Sequence, residues 1–152
     1  GALKDASSMQ DLKLTPLALH HCYLIIVRLE RIADQAKGIV ADLPAANFSG
    51  HAKEEFQKLL QLLFGRYNDT MKSFYTGDRE AALDIEVSGD GIIERLINFL
   101  DGFTRKCIAD GRSKGNKSDI THPCMAATRI IDGMKVMAKY TGYIARVVMS
   151  ES

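Results

Sequence analysis

Tryptophan is missing from the 152-residue chain, proline and cysteine occur only 3 times each, and neither sign of charge dominates, with 20 Lys plus Arg against 19 Asp plus Glu. Each shortage excludes something. So little proline beside 46% hydrophobic residues excludes a disordered or fibrous chain. Cys22, Cys107 and Cys124 form no Cys-x-x-Cys pair, which argues against a disulfide scaffold or a zinc knuckle and points to a reducing, cytoplasmic setting. A formal charge of +1 supplies no global field for nucleic acid or an anionic membrane, so polyanion binding has to be local. The longest apolar run, Cys22 to Val27, is far short of the roughly 20 residues of a membrane span, and no signal peptide opens the sequence. Gly1 has the look of a tag-removal scar, in which case the sequence is a piece of something longer. By length the chain is one domain over 1–152.

What is present is helical periodicity. Thr15 caps a helix with Pro16 at its first position, and Ile25, Leu29, Ile32, Ala36, Ile39 and Leu43 recur at steps of four and three, with Pro44 expected to end the run. Ser49 and Gly50 begin a second helix with the stripe Phe56, Leu60, Leu63, Tyr67, Met71 and Phe74, closed by Tyr75, Thr76 and Gly77. A third starts near Asp78 and carries Ile85, Ile92, Leu96, Leu100, Phe103 and Cys107. Gly89 and Gly91 interrupt it, which predicts a kink, or close approach by a neighbouring helix or an ion. Gly111 to Asp119 reads as a basic, disordered loop, after which Thr121 and Pro123 start a fourth helix with the stripe Ile130, Met134, Met137, Thr141, Ile144 and Val148. Nothing alternates with period two. The expected fold is an all-α antiparallel four-helix bundle with left-handed supercoil geometry. An offset of 105 residues superposes the first stripe on the fourth, which is either a duplication or the ordinary coincidence of two heptad-like helices.

Two acidic pairs are the candidate metal ligands. Glu30 and Asp34 stand one turn apart on the first helix, and Asp90 and Glu94 repeat the spacing on the third. Like charges so placed repel, and a divalent cation or a neighbouring Lys or Arg relieves them. Carboxylate oxygens suit hard ions such as Mg²⁺ and accept Fe or Mn. The bland alternative is two solvated faces, with Lys37 a weak partner for Asp34. An EF-hand reading of Asp84 to Arg95 fails, because Arg95 stands where a bidentate Glu is required. Di-iron chemistry fails for want of any Glu-x-x-His. His20, His21, His51 and His122 read as surface or capping residues, and no hydrolase, P-loop or dinucleotide motif occurs, so no enzyme is expected. Asp34-x-x-Lys37-Gly38 has the spacing of a histidine phosphotransfer motif, but with Asp in place of the essential imidazole.

The run Ile26-Val27-Arg28-Leu29-Glu30-Arg31-Ile32-Ala33-Asp34-Gln35-Ala36, continuing to Ile39, resembles the closing helix of a PhoU repeat, which carries Leu-Glu-Arg-Ile-Gly/Ala-Asp-His/Gln-Ala. Glu55 to Cys107 resembles the first two helices of the next repeat, with Asp90-Gly91-Ile92-Ile93-Glu94 where the family has Asp-x-x-Ile/Val-Asp, and 121–149 occupy its closing helix. The resemblance implies one closing helix plus one complete three-helix repeat, without two helices of the first. It implies a regulator of phosphate uptake and homeostasis that works with a phosphate transporter or sensor kinase. It also implies a metal, divalent or iron-type, held at Glu30, Asp34, Asp90 and Glu94. The fourth helix departs, since Lys135 and Lys139 stand at the offset positions of the acidic pair. Two ammonium groups cannot ligate a cation, so they are expected either to balance carboxylates of a neighbouring helix or to face a phosphate-bearing partner.

Three alternatives stay beside this reading. One is the cytosolic PhoU-like domain of a sodium-phosphate cotransporter, another a helical scaffold without metal, and the third a metal-dependent hydrolase. Four methionines in the fourth helix, Met125, Met134, Met137 and Met149, offer an adaptable surface for a homodimer, or core packing.

Overall fold

The computed structural model describes residues 15–114 and 118–150, and the side chains of all of these except 112–114 and 118–121. Among the described residues there are five helices and no strand: α1 Pro16–Ala46, α2 Gly50–Thr76, α3 Arg79–Val87, α4 Gly89–Lys114 and α5 Ser118–Ser150. The described residues are all-helical in class. The expected third helix is α3 and α4 together, and the fourth is α5.

Local chemistry sets most of the ends. Thr15 Oγ1 accepts from the Ala18 amide at 3.1 Å, capping α1 as its Thr-Pro start predicts. Pro44 does not end α1, contrary to expectation. It lies in the last turn, where a missing N–H costs a single ladder bond, and the helix stops at Asn47, which is left-handed with φ 49°. Gly77, with φ 69°, closes α2, and Asp78 caps α3 by accepting from the Ala81 amide. Residues 111–114 and 118–119 of the supposed loop are helical, and 115–117, the rest of the segment expected to be disordered, lie outside the described residues. Pro123 falls inside α5 and does not begin it.

The buried stripes follow the expected register on α1 and α5 and over the first half of α4, beyond which Phe99 is buried and Leu100, Phe103 and Cys107 are only half-buried. Ile25, Ile32 and Ile39 are buried on α1, Ile92 and Leu96 on α4, and Ile130, Met134, Met137, Thr141, Ile144 and Val148 on α5. On α2 the register differs. The fully buried positions are Phe56, Leu59, Leu63, Arg66, Thr70 and Ser73, whereas Leu60, Tyr67, Met71 and Phe74 are only half-buried. The two hydroxyls fit that stripe because each is satisfied locally: Thr70 Oγ1 donates to Arg66 O at 2.8 Å, and Ser73 Oγ to Thr70 O at 2.7 Å. His21, expected at the surface, is buried one turn before Ile25 and extends the α1 stripe.

Packing centres on α5, whose backbone lies against all four other helices, whereas the backbone of α1 comes close to α5 alone among the described residues. The α1–α5 pair is antiparallel. Asp42 meets Arg129 at 3.0 Å near one end, and Arg28 meets Tyr143 near the other. A Cβ on Gly133 would fall 3.2 Å from Gln35 Oε1 and 3.3 Å from Ile39 Cγ1, which measures how near the two helices come. The α1–α2 link is anchored by Phe48, whose ring centroid is 4.7 Å from that of Phe56, 5.4 Å from Phe99 and 5.0 Å from Phe103. Of the four helix-five methionines, Met134 and Met137 serve the core, Met149 is half-buried and Met125 is exposed.

Candidate functional site

The acidic pairs are where their sequence spacing puts them, but the structure does not bring them together. Glu30 and Asp34 are exposed on α1, Asp90 and Glu94 are exposed on α4, and α1 and α4 are not neighbours. Among the described residues no three His, Cys, Asp or Glu side chains converge as a metal site would need. The single four-carboxylate site expected from the sequence is therefore corrected to two separate solvent-facing pairs. Two carboxylates leave most of the shell of a hard cation to water, a donor set that does not fit a tightly held resident ion. Lys135 turns to Asp132 of its own helix at 3.6 Å, and so does not balance a neighbour. Lys139, by contrast, lines a cleft with Asp90 of α4.

That cleft, of about 330 Å³, lies where α3 breaks from α4 against α5. The break is built around Arg66 of α2, whose side chain is only 7% exposed. Its Nη2 donates to Ile85 O at 2.8 Å, a carbonyl left over at the end of α3, and its Nη1 donates to Ser88 Oγ at 2.7 Å. Ser88 Oγ in turn donates to Asp84 O at 2.9 Å. A Cβ on Gly89 would lie 3.4 Å from Arg66 Nη2, so the glycine leaves room for the guanidinium. The interruption expected at Gly89 is thus a side-chain cation from a neighbouring helix capping a broken one. Gly91 plays no such part, as nothing lies within 4 Å of its Cβ position. Burial pushes the Arg66 guanidinium below its ordinary value, and the Glu86 carboxylate pulls the other way.

Glu86 is itself claimed, accepting from Arg146 Nε of α5 at 2.7 Å. Arg146 also lies over the Tyr143 ring, with its guanidinium carbon 5.4 Å from the centroid, and Arg28 of α1 lies over the same ring at 5.6 Å. Arg28, Tyr143 and Arg146 line a second, open pocket of about 420 Å³ that shares Tyr143 and Arg146 with the first. The sequence reading passed over Arg66 and Arg146 and took Arg28 only as part of a family motif. One signal was available for Arg66: it continues the Phe56, Leu59, Leu63 steps, an arginine in an apolar stripe.

A third hollow, of about 180 Å³, is apolar and runs between α1 and α2, with Ala33 and Ala36 on one wall, Phe64 and Tyr67 on the other and Met137 in its floor. Beside it α1 exposes Tyr23 (63%), Ile26 (55%) and Val40 (68%). All three cysteines are free thiols. Burial and a hydrogen bond with Cys124 raise Cys107 to about 11, a protonated and unreactive thiol near neutrality.

No protein-family model matches the chain, and no curated protein or solved structure is significantly similar to it. The geometry therefore stands by itself.

Proposed function

We propose that the chain is a PhoU-like helical module that regulates phosphate uptake by docking on a phosphate transporter or sensor kinase, and that it catalyses no reaction. The likeness of residues 26–39 to a PhoU closing helix supports the family. The observation that carries the docking is that among the described residues α1 has only α5 for a backbone neighbour, while its exposed face repeats an apolar spacing of its own at Leu19, Tyr23, Ile26, Ala33 and Val40. Scattered exposed apolar residues are ordinary, but a periodic row beside an apolar hollow is what a partner helix packs against. Glu30 and Lys37 fall in the same row and set its charge pattern. The acidic pairs are assigned no resident metal, since the donors at each are too few.

Phosphate uptake by cells of the source organism tests the reading. The double variant Tyr23→Glu, Ile26→Glu replaces two exposed side chains, so it is expected to fold with unchanged circular dichroism. The expected result is uptake no longer restrained by abundant phosphate. Uptake that still responds to phosphate as in the parent would sink the proposal.

A further inference from the structure

We infer that the pocket around Tyr143 is a binding site for a phosphate group, free or esterified. Four cationic side chains, Arg28, Arg66, Lys139 and Arg146, line the two adjoining pockets, against two carboxylates, Glu86 and Asp90. The excess is local, in a chain whose formal charge is only +1.

Unpaired donors lie at both pockets. Among the described residues the only buried side-chain nitrogens or oxygens without a partner are Nε of Arg28 and Nε of Arg66, one beside each pocket. Arg28 gives Nη1 to Leu24 O at 3.1 Å and has no carboxylate within 4 Å among the described residues. Arg146 spends Nε on Glu86, and both of its Nη groups lack a protein partner among the described residues. Arg28 and Arg146 place their guanidinium carbons 5.6 Å and 5.4 Å from the Tyr143 ring centroid, so two cations share one aromatic neighbour. A dianion in the open pocket beside the ring is attracted by both cations and can accept from the Nη groups of Arg146, and its tetrahedral oxygens suit the guanidinium fork. A carboxylate would bring half that charge. Lys139 across the ring adds to the field without needing contact. The open shape of the pocket leaves room for an ester substituent.

This site does not rest on the docking proposal, and each can fail without the other. The test is a titration of the ¹⁵N-labelled full chain with inorganic phosphate at low ionic strength, following the Nε–Hε resonances of Arg28 and Arg146. Glycerol phosphate is a second ligand, and chloride at matched ionic strength the control. Saturable shifts are expected with phosphate and not with chloride. Arg28→Gln, which gives up a bond within its own helix and the contact with the Tyr143 ring, should weaken binding by about tenfold, the value of one charge-assisted hydrogen bond. Arg105→Gln, which removes an exposed pair with Asp101 elsewhere on α4, should leave it unchanged. Tighter binding of the ester identifies an organic phosphate as the ligand, and tighter binding of inorganic phosphate identifies the free ion. Shifts that never saturate with either phosphate, or that persist undiminished in Arg28→Gln, overturn the site.

Discussion

Arg66 shows how one side chain can look wrong in a sequence and be required in a structure. A guanidinium at a buried helix position loses hydration, and two acceptors from the α3–α4 break return part of that loss. Replacing it with an apolar residue of similar length recovers the desolvation but removes the cationic donor from Ile85 O and Ser88 Oγ, which keep only their bond to each other and the bond from Ser88 Oγ to Asp84 O. For Arg66→Met we expect a loss of about 2 kcal/mol, within the value of a hydrogen bond from a charged donor. Urea unfolding checks it, and an unchanged midpoint would show that water or a backbone shift satisfies the break equally well. The same reasoning explains why Thr70 and Ser73 are harmless in the core: both hydroxyls are spent within one turn of their own helix.

At the scale of the elements, α1 and α5 are the helices whose buried stripes the sequence marks best, and the two pack against each other. Gly133 sits at the nearest point of that contact, against Gln35 and Ile39. Gly133→Ala should change stability little, because a helix-propensity gain of about 1 kcal/mol is set against a neighbour that must give way slightly. Gly133→Leu has no such escape and should cost about 1–3 kcal/mol by overpacking, read as a lower thermal midpoint. A leucine variant as stable as the parent would mean the two helices slide apart freely. The stripes of α1 and α5 and the start of that on α4 were legible because regular three-four spacing is enough to define a buried face. The register of α2 was not, because its buried face carries Arg66, Thr70 and Ser73, which no apolar pattern reveals. The break at Ser88 was half legible: the glycines marked the place, and the cation that fills it comes from 22 residues earlier in the chain. The separation of the acidic pairs was not legible, since spacing along a helix fixes which face a carboxylate takes but not which helices become neighbours.

Among the described residues the molecule divides into α2 to α5, where every helix has at least two backbone neighbours, and α1, which has one. Local opening follows such differences in support. Amides in the first half of α1 should therefore exchange with deuterium before those in the centre of α5, and equal protection of the two would mean that the chain opens only as a unit. Phe48 determines what form that opening takes. Its ring is wedged among Phe56, Phe99 and Phe103, so the link stays fixed to the other helices even when α1 lifts. The 31-residue α1 is about 46 Å long at the usual rise per residue. It is then a lever with its fulcrum at the Asn47 end, and a tilt of about 10° carries its Pro16 tip through about 8 Å. Arg28 rides on that lever, so the same swing draws one of the two guanidiniums off Tyr143.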